Sequence, residues 1–325
     1  MMQDIYEKLA CLLPQEQILR EEPMKKHTTF RIGGPAELYI CPPIDRLPAI
    51  LALAAQEQIP LTVIGNGSNL LVGDKGIRGL VVEIGRSAEY IQTEEDGRLR
   101  IGAGTLLVRA ANAAAEAGLS GMEFAAGIPG TLGGAVVMNA GAYGGEMKDI
   151  LHEVSVIDHK GRTLVFTEEA PADSREQTSV CTGDREYHDL SELDLAYRHS
   201  IIPERQYLVT EAVLQLQPAP KEEIRERMNQ LRQKRAEKQP LEFPSAGSTF
   251  KRPEGYFAGK LIEDAGLKGY QVGGAQVSEK HSGFVINTGN ATAADVRQLI
   301  ADVQARIREQ FGVRMEPEVR FVGEF

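Results

Sequence analysis

Two glycine-rich segments carry the residues best suited to holding an anion: Gly65-Asn66-Gly67-Ser68-Asn69 and Gly127-Ile128-Pro129-Gly130-Thr131-Leu132-Gly133-Gly134. The first follows the short apolar run 61–64, which reads as a buried strand. A strand that empties into Gly-x-Gly and small polar residues can turn its backbone N–H groups toward a ligand, because residues without Cβ let the main chain approach closely. Ser68 and Asn69 add side-chain donors to the same turn. A Rossmann fingerprint does not fit. Leu70 stands where the third glycine belongs, and the stretch before the next strand, 80–83, reads as a turn with no room for a crossover helix. Two readings stand: a diphosphate cradle of another kind, or a tight loop.

The run 127–145 is poor in large side chains, with Ala135, Asn139, Ala140, Gly141 and Ala142 following the glycines. Such a run suits either a helix packed closely on a sheet or backbone lying flat against a planar cofactor, and its place beside a cradle favours the second. Ser248, in Ala246-Gly247-Ser248-Thr249-Phe250-Lys251, suits a turn, but a hydroxyl with cationic or water neighbours can also hand on a proton. No Gly-x-Ser-x-Gly elbow occurs, so a serine hydrolase is unsupported. Arg198 could grip a carboxylate through two parallel N–H bonds. By itself Glu318 reads as a solvated carboxylate near a strand start.

These residues must be positioned by a chain of 325 residues, long enough for two or three domains. With 42% apolar and 25% charged residues it reads as globular, and a net charge of −10 argues against nucleic acid or anionic membranes as partners. Cys11, Cys41 and Cys181 show neither pairing nor metal spacing, which suits reduced thiols in a cytoplasm, and no metal site is expected. Residues 1–22 lack the apolar core of a secretory signal, and no run is long enough to span a bilayer. The patterns predict helices over 2–13, 45–58, 106–117 (capped by Thr105, stopped by Gly118), 221–238 and 258–265. A long helix starts at Thr292 with a capping box to Asp295. Strands are expected at 36–41, 61–64, 80–84, 153–158, 162–166, 208–216, 270–277, 283–286 and 316–322, with 171–189 largely loop. The class is α+β.

In collinear order from Thr28 to Phe325, these segments resemble the UDP-N-acetylenolpyruvoylglucosamine reductase (MurB) family. Thr29-Phe30-Arg31-Ile32-Gly33-Gly34, Asn139-Ala140-Gly141-Ala142-Tyr143-Gly144, Tyr197-Arg198-His199-Ser200 and Glu316-Pro317-Glu318-Val319-Arg320 complete the set. The spacing around Tyr197-Arg198 and from Val285 to Asn290 is similar to the loop-lacking (type II) form. The resemblance implies a two-subdomain FAD-binding fold of the vanillyl-alcohol oxidase (PCMH) type, residues 1–85 with an N-terminal helix and 86–218. A substrate-binding domain, 219–325, follows. It also implies NADPH as reductant, FAD as cofactor, and reduction of the enolpyruvyl ether of a UDP-sugar to UDP-N-acetylmuramate for peptidoglycan.

By the same resemblance Arg198, Ser248 and Glu318 are catalytic. FAD is held by Arg31, Gly65 to Asn69, Gly127, Ile128, Pro129, Gly130, Thr131, Gly133, Gly134, Ala140, Gly141 and Arg320. Tyr143, Tyr197, Lys238, Lys251 and His281 meet substrate or nicotinamide. Arg252 stands where some members carry Asn. The competing readings are another non-covalent FAD oxidase or dehydrogenase on the same scaffold, and an inactive binding protein that kept the fold. No histidine lies in either glycine segment to tether a flavin.

Overall fold

A computed structural model describes residues 2–169 and 185–325. The chain groups into two units: Met1–Leu19, Ile40–Asn66 and Leu80–Gln233 in the first, and Arg20–Tyr39, Gly67–Gly79 and Lys234–Phe325 in the second. The first glycine segment is thus divided, with Gly65 and Asn66 in one unit and Gly67, Ser68 and Asn69 in the other.

In the first unit the strand Leu61–Ile64 runs parallel to residues 80–83 with no helix between them, as the failed fingerprint implied. The helix Leu47–Gln56 buries Leu47, Ile50, Leu51 and Ala54 at helical spacing. The larger layer is a six-stranded sheet in the order Arg185–Asp189, Thr163–Thr167, Leu151–Ile157, Leu208–Gln215, Arg98–Gly102, Ile91–Thr93. Its pairings are antiparallel except for the first, which is parallel. The short helix Leu132–Val137 lies against Leu208–Gln215 and so carries the second glycine segment onto the sheet. Helix Leu107–Ala117 buries Leu107 and four alanines, and ends where Gly118 turns left-handed at φ 73°. A bulkier stripe would hold it off its neighbours, since packed interiors leave no slack.

The second unit is built on an antiparallel sheet in the order Ser245–Ser248, Phe284–Asn287, Ala275–Val277, Gln271–Val272. Helix Ala293–Phe311 places Val296, Leu299, Ile300, Val303 and Ile307 in a core with Phe30, Leu71, Phe250, Leu261 and Val285. Each such side chain contributes about 1.5–3 kcal/mol relative to exposure. The Thr292–Asp295 capping box forms as expected, and Asp74 adds a second cap by accepting from the amides of Ala293 (2.8 Å) and Ala294 (2.9 Å). Leu70–Val72 and Arg320–Val322 form a parallel pair that leaves Asn69 beside Arg320.

Four expectations are corrected. Thr105 does not cap the helix at 107; its hydroxyl donates to Tyr90 O, and Leu106 is the cap residue. The expected strand 270–277 is a hairpin broken at Gly273-Gly274, where φ at Gly273 is 53°. Within 316–322 only Arg320–Val322 is a strand, and Pro317 makes an isolated antiparallel bridge with Phe250 instead. Residues 185–189 of the expected loop form a strand, while the rest of that loop up to 184 lies outside the described residues.

Candidate functional site

In the first unit the two glycine segments meet. Asn66 Nδ2 donates to Pro129 O, and Gly65 lies so close to the second segment that a Cβ there would fall 2.3 Å from Thr131 Oγ1. Gly133 packs on Ala103, where an added Cβ would stand 2.9 Å from the Ala103 Cβ. The amides of Leu132 and Gly133 are taken by Thr105 O and Ala103 O. Gly65 and Gly133 are therefore small because protein touches them, which is the close-packing reading of this run. Gly134 is different. It is exposed, and a Cβ added there would meet only Thr131 Oγ1, at 3.5 Å. Among the described residues no backbone carbonyl accepts from the amides of Gly130 or Gly134. An open, Cβ-free surface beside amides that no backbone carbonyl takes fits the diphosphate or ring of a flavin dinucleotide.

Beyond this surface, Gly141-Ala142 and Gly145-Glu146 form a two-residue hairpin. Both turn positions have positive φ, 54° at Tyr143 and 90° at Gly144, the geometry of a type I′ turn. A tyrosine is an uncommon occupant of that position, and its side chain is held out at 49% exposure. Arg198 lies at another left-handed position, φ 56°, in a tight turn closed by Ala196 and His199. It is half-buried, and its Nη2 donates to Gly141 O at 3.1 Å. The guanidinium carbon stands 5.0 Å from the ring centre of Tyr197, itself 51% exposed. Strained backbone at Asn139, Tyr143 and Arg198, all in one unit, marks this corner as built for something other than stability.

In the second unit Ser248 closes the strand Ser245–Ser248 after a bulge, with Gly247 at φ 77°. Such a bulge re-aims the side chain that follows it, and Ser248 is exposed. The segment 249–251 runs beside 316–318: Glu318 N donates to Thr249 O, and Lys251 N donates to Glu316 O, both at 2.8 Å. Lys251 Nζ also stands 3.7 Å from Glu316. Asn69 Nδ2 donates to Glu318 O at 3.1 Å, and Arg320 N donates to Asn69 O. This unit thus gathers Ser248, Lys251, Glu318, Arg320 and the Asn69 half of the first segment.

Gly67 is fixed by protein contact, since φ is 57° and a Cβ would lie 2.0 Å from His27 O. Arg31 is exposed, again at positive φ, 55°. His281 is half-buried and accepts from Gly283 N through Nδ1 at 3.1 Å, so its proton sits on Nε2. Burial, and then the Lys238 cation, push its pKa below the ordinary histidine value. No group of metal-ligating side chains occurs among the described residues.

One participant escaped the pattern reading. Asn139 lies inside a quoted motif without a role of its own, yet it is fully buried and makes three side-chain hydrogen bonds to two segments, 146–148 and 196. Its signal was present: asparagine is the residue other than glycine most at ease at positive φ, and it stands before Ala-Gly.

Two family models match the chain. "FAD binding domain" covers residues 36–167, and "UDP-N-acetylenolpyruvoylglucosamine reductase, C-terminal domain" covers 239–322. A UDP-N-acetylenolpyruvoylglucosamine reductase of Agathobacter rectalis is 54% identical, with the whole of each chain aligned. One from Clostridioides difficile is 45% identical over 99% of both chains. The crystal structure of the reductase from Thermus caldophilus is similar with a TM-score of 0.73 and 36% identity, covering 94% of this chain and 98% of that one.

Proposed function

The chain belongs to the UDP-N-acetylenolpyruvoylglucosamine reductase family, and on that premise we propose that it uses NADPH and FAD to reduce the enolpyruvyl ether of a UDP-sugar to UDP-N-acetylmuramate. The observation that carries this reading is identity at full coverage with reductases of that name. The C-terminal family model at 239–322 favours it over an FAD oxidase, whose scaffold alone would account for 36–167. No helix among the described residues is long and apolar enough to cross a membrane. We place the reaction in the cytoplasm, where NADPH and a nucleotide sugar are both supplied. The expected division into two FAD-binding segments, 1–85 and 86–218, and a substrate-binding segment, 219–325, is kept as a functional division.

Bound FAD would relay a hydride equivalent from NADPH to the terminal methylene of the ether. Residues proposed to hold it are Arg31, Gly65, Asn66, Ser68, Asn69, Gly130, Gly134 and Arg320. Addition of hydride at the methylene moves an electron pair toward the carboxylate. Arg198 would receive that charge through its planar fork, most strongly where charge develops. The carbon bearing the ether oxygen then needs a proton, and Ser248 would deliver it from its exposed position after the bulge. Glu318, tied through its backbone to Asn69 and Thr249, would set the water or proton that restores Ser248. Tyr143, Tyr197, Lys238, Lys251 and His281 would line the approach of substrate or nicotinamide.

Stopped-flow measurement of each half-reaction in Ser248→Ala tests these roles. Flavin bleaching by NADPH should stay near wild type while reoxidation by substrate falls about 10²–10⁴-fold, the usual cost of losing a positioned general acid. An equal fall in both half-reactions would assign Ser248 to the framework instead.

A further inference from the structure

We propose that Asn139 is a positioning residue that locks the Arg198 turn to the Tyr143 hairpin and acts on substrate reduction through Arg198. The inference rests on the carboxylate-binding role proposed for Arg198.

Asn139 has no solvent exposure and adopts φ 39°. Its Oδ1 accepts from Lys148 N at 2.9 Å, and its Nδ2 donates to Glu146 Oε2 at 2.9 Å and to Ala196 O at 3.1 Å. The amide has one possible orientation. An N–H must meet oxygen, and a carboxylate and a carbonyl must meet N–H. Ala196 and His199 exchange two backbone hydrogen bonds, at 3.2 and 3.1 Å, so Tyr197 and Arg198 are the central residues of a closed turn. Ala196 O therefore takes two donors, His199 N and Asn139 Nδ2.

Ser200 Oγ fixes the far side of the turn by donating to Val137 O at 2.6 Å. Arg198 Nη2 returns to Gly141 O, two residues beyond Asn139, and Glu146 lies opposite Gly141 in the hairpin. Asn139 thus holds both the Arg198 turn, at Ala196 O, and the hairpin, at Glu146, while Arg198 reaches back to Gly141, which faces Glu146 as a non-hydrogen-bonded pair. An arginine at a left-handed position would otherwise rotate toward ordinary φ and carry its guanidinium away, and a misplacement of about 1 Å in a group that orients substrate costs about 10²-fold in rate.

Asn139→Asp keeps the size and the acceptor for Lys148 N, but it sets an oxygen against the Glu146 carboxylate and Ala196 O. Asn139→Gly keeps the backbone conformation and removes all three bonds. Both variants, Arg198→Lys and the Asn139→Asp/Arg198→Lys pair are prepared as flavin-loaded holoenzyme. Each is measured by stopped flow for flavin reduction with NADPH and for anaerobic reoxidation with UDP-N-acetylglucosamine enolpyruvate. Substrate affinity of the oxidised form is read from the flavin difference spectrum, and flavin content and thermal midpoint are recorded.

The expected result is a loss of about 10²-fold in reoxidation for both Asn139 variants with weakened substrate affinity, while reduction by NADPH changes less than about threefold. In the Arg198→Lys background, Asn139→Asp should cost less than about threefold more, since two residues acting through one contact are not additive. A full additional loss in that background overturns the inference, as does wild-type behaviour of Asn139→Gly or an equal fall in both half-reactions. Loss of flavin or fold in both Asn139 variants also overturns it, because the residue would then hold the scaffold rather than the arginine. If Arg198→Lys itself leaves reoxidation intact, the role proposed for Arg198 fails first, a result distinct from the others.

Discussion

Replacing Gly134 by alanine separates protein packing from cofactor contact at a single atom. In the protein alone the new Cβ meets only Thr131 Oγ1, at an ordinary 3.5 Å. Gly134 lies in the helix Leu132–Val137 at a φ open to any residue, so alanine should stabilise the flavin-free chain by about 0.5–1 kcal/mol through helix propensity. That corresponds to a rise in thermal midpoint of about 1–4 °C for a chain of this size. With flavin bound, the same methyl would intrude on a fitted surface. Overpacking costs about 1–3 kcal/mol, which is about 5- to 150-fold in dissociation constant.

Gly133→Ala is the internal control. Its Cβ would stand 2.9 Å from the Ala103 Cβ, so it should lower the midpoint with or without flavin. The assay is differential scanning calorimetry of the flavin-free proteins with isothermal titration of FAD into each. Wild-type FAD affinity in Gly134→Ala would refute the assignment of this surface to the cofactor. A fall in stability of its flavin-free form would refute the geometry.

His281, held below ordinary histidine pKa by burial and by Lys238, should remain neutral in the folded chain where the unfolded chain already binds a proton. Stability is then fully present above pH 6.5 and declines as pH falls below it, because the unfolded state takes up more protons there; His281→Gln should flatten that slope in urea titrations at stepped pH. Asp74→Ala removes the acceptor for two helix amides and should cost about 0.5–2 kcal/mol, read as a lower urea midpoint and faster amide exchange at Ala293 and Ala294.

Local chemistry made much of this legible in advance. The Thr292–Asp295 box, the glycine stop at 118 and the helical periodicity of 293–311 depend on neighbours in sequence, and all appear where expected. The glycine-rich turn before residue 80 left no room for a crossover helix after residue 64, and none forms. The misses depend on distant partners. Thr105 could cap a helix by local rules, but Tyr90 O offered its hydroxyl a better-placed acceptor. The strands Leu70–Val72 and Ile91–Thr93 are three residues each and exist because other strands lie alongside, which no short pattern encodes. Gly65, Gly67 and Gly133 have protein atoms where a side chain would stand, and only contact geometry tells Gly133 from Gly134. The Asn139 side chain joins residues 146, 148 and 196, and that convergence is a tertiary fact.

Flavin-mediated reduction of the enolpyruvyl sugar is tested most simply without air. Holoenzyme is bleached with one equivalent of NADPH, freed of nucleotide, and mixed with UDP-N-acetylglucosamine enolpyruvate while flavin absorbance is followed and the product is identified by mass. The expected result is return of the oxidised flavin spectrum without oxygen and one UDP-N-acetylmuramate per flavin reoxidised. If colour returns only when air is admitted and the enolpyruvyl sugar is recovered unchanged, the chain is an oxidase on this scaffold and the proposed function is wrong.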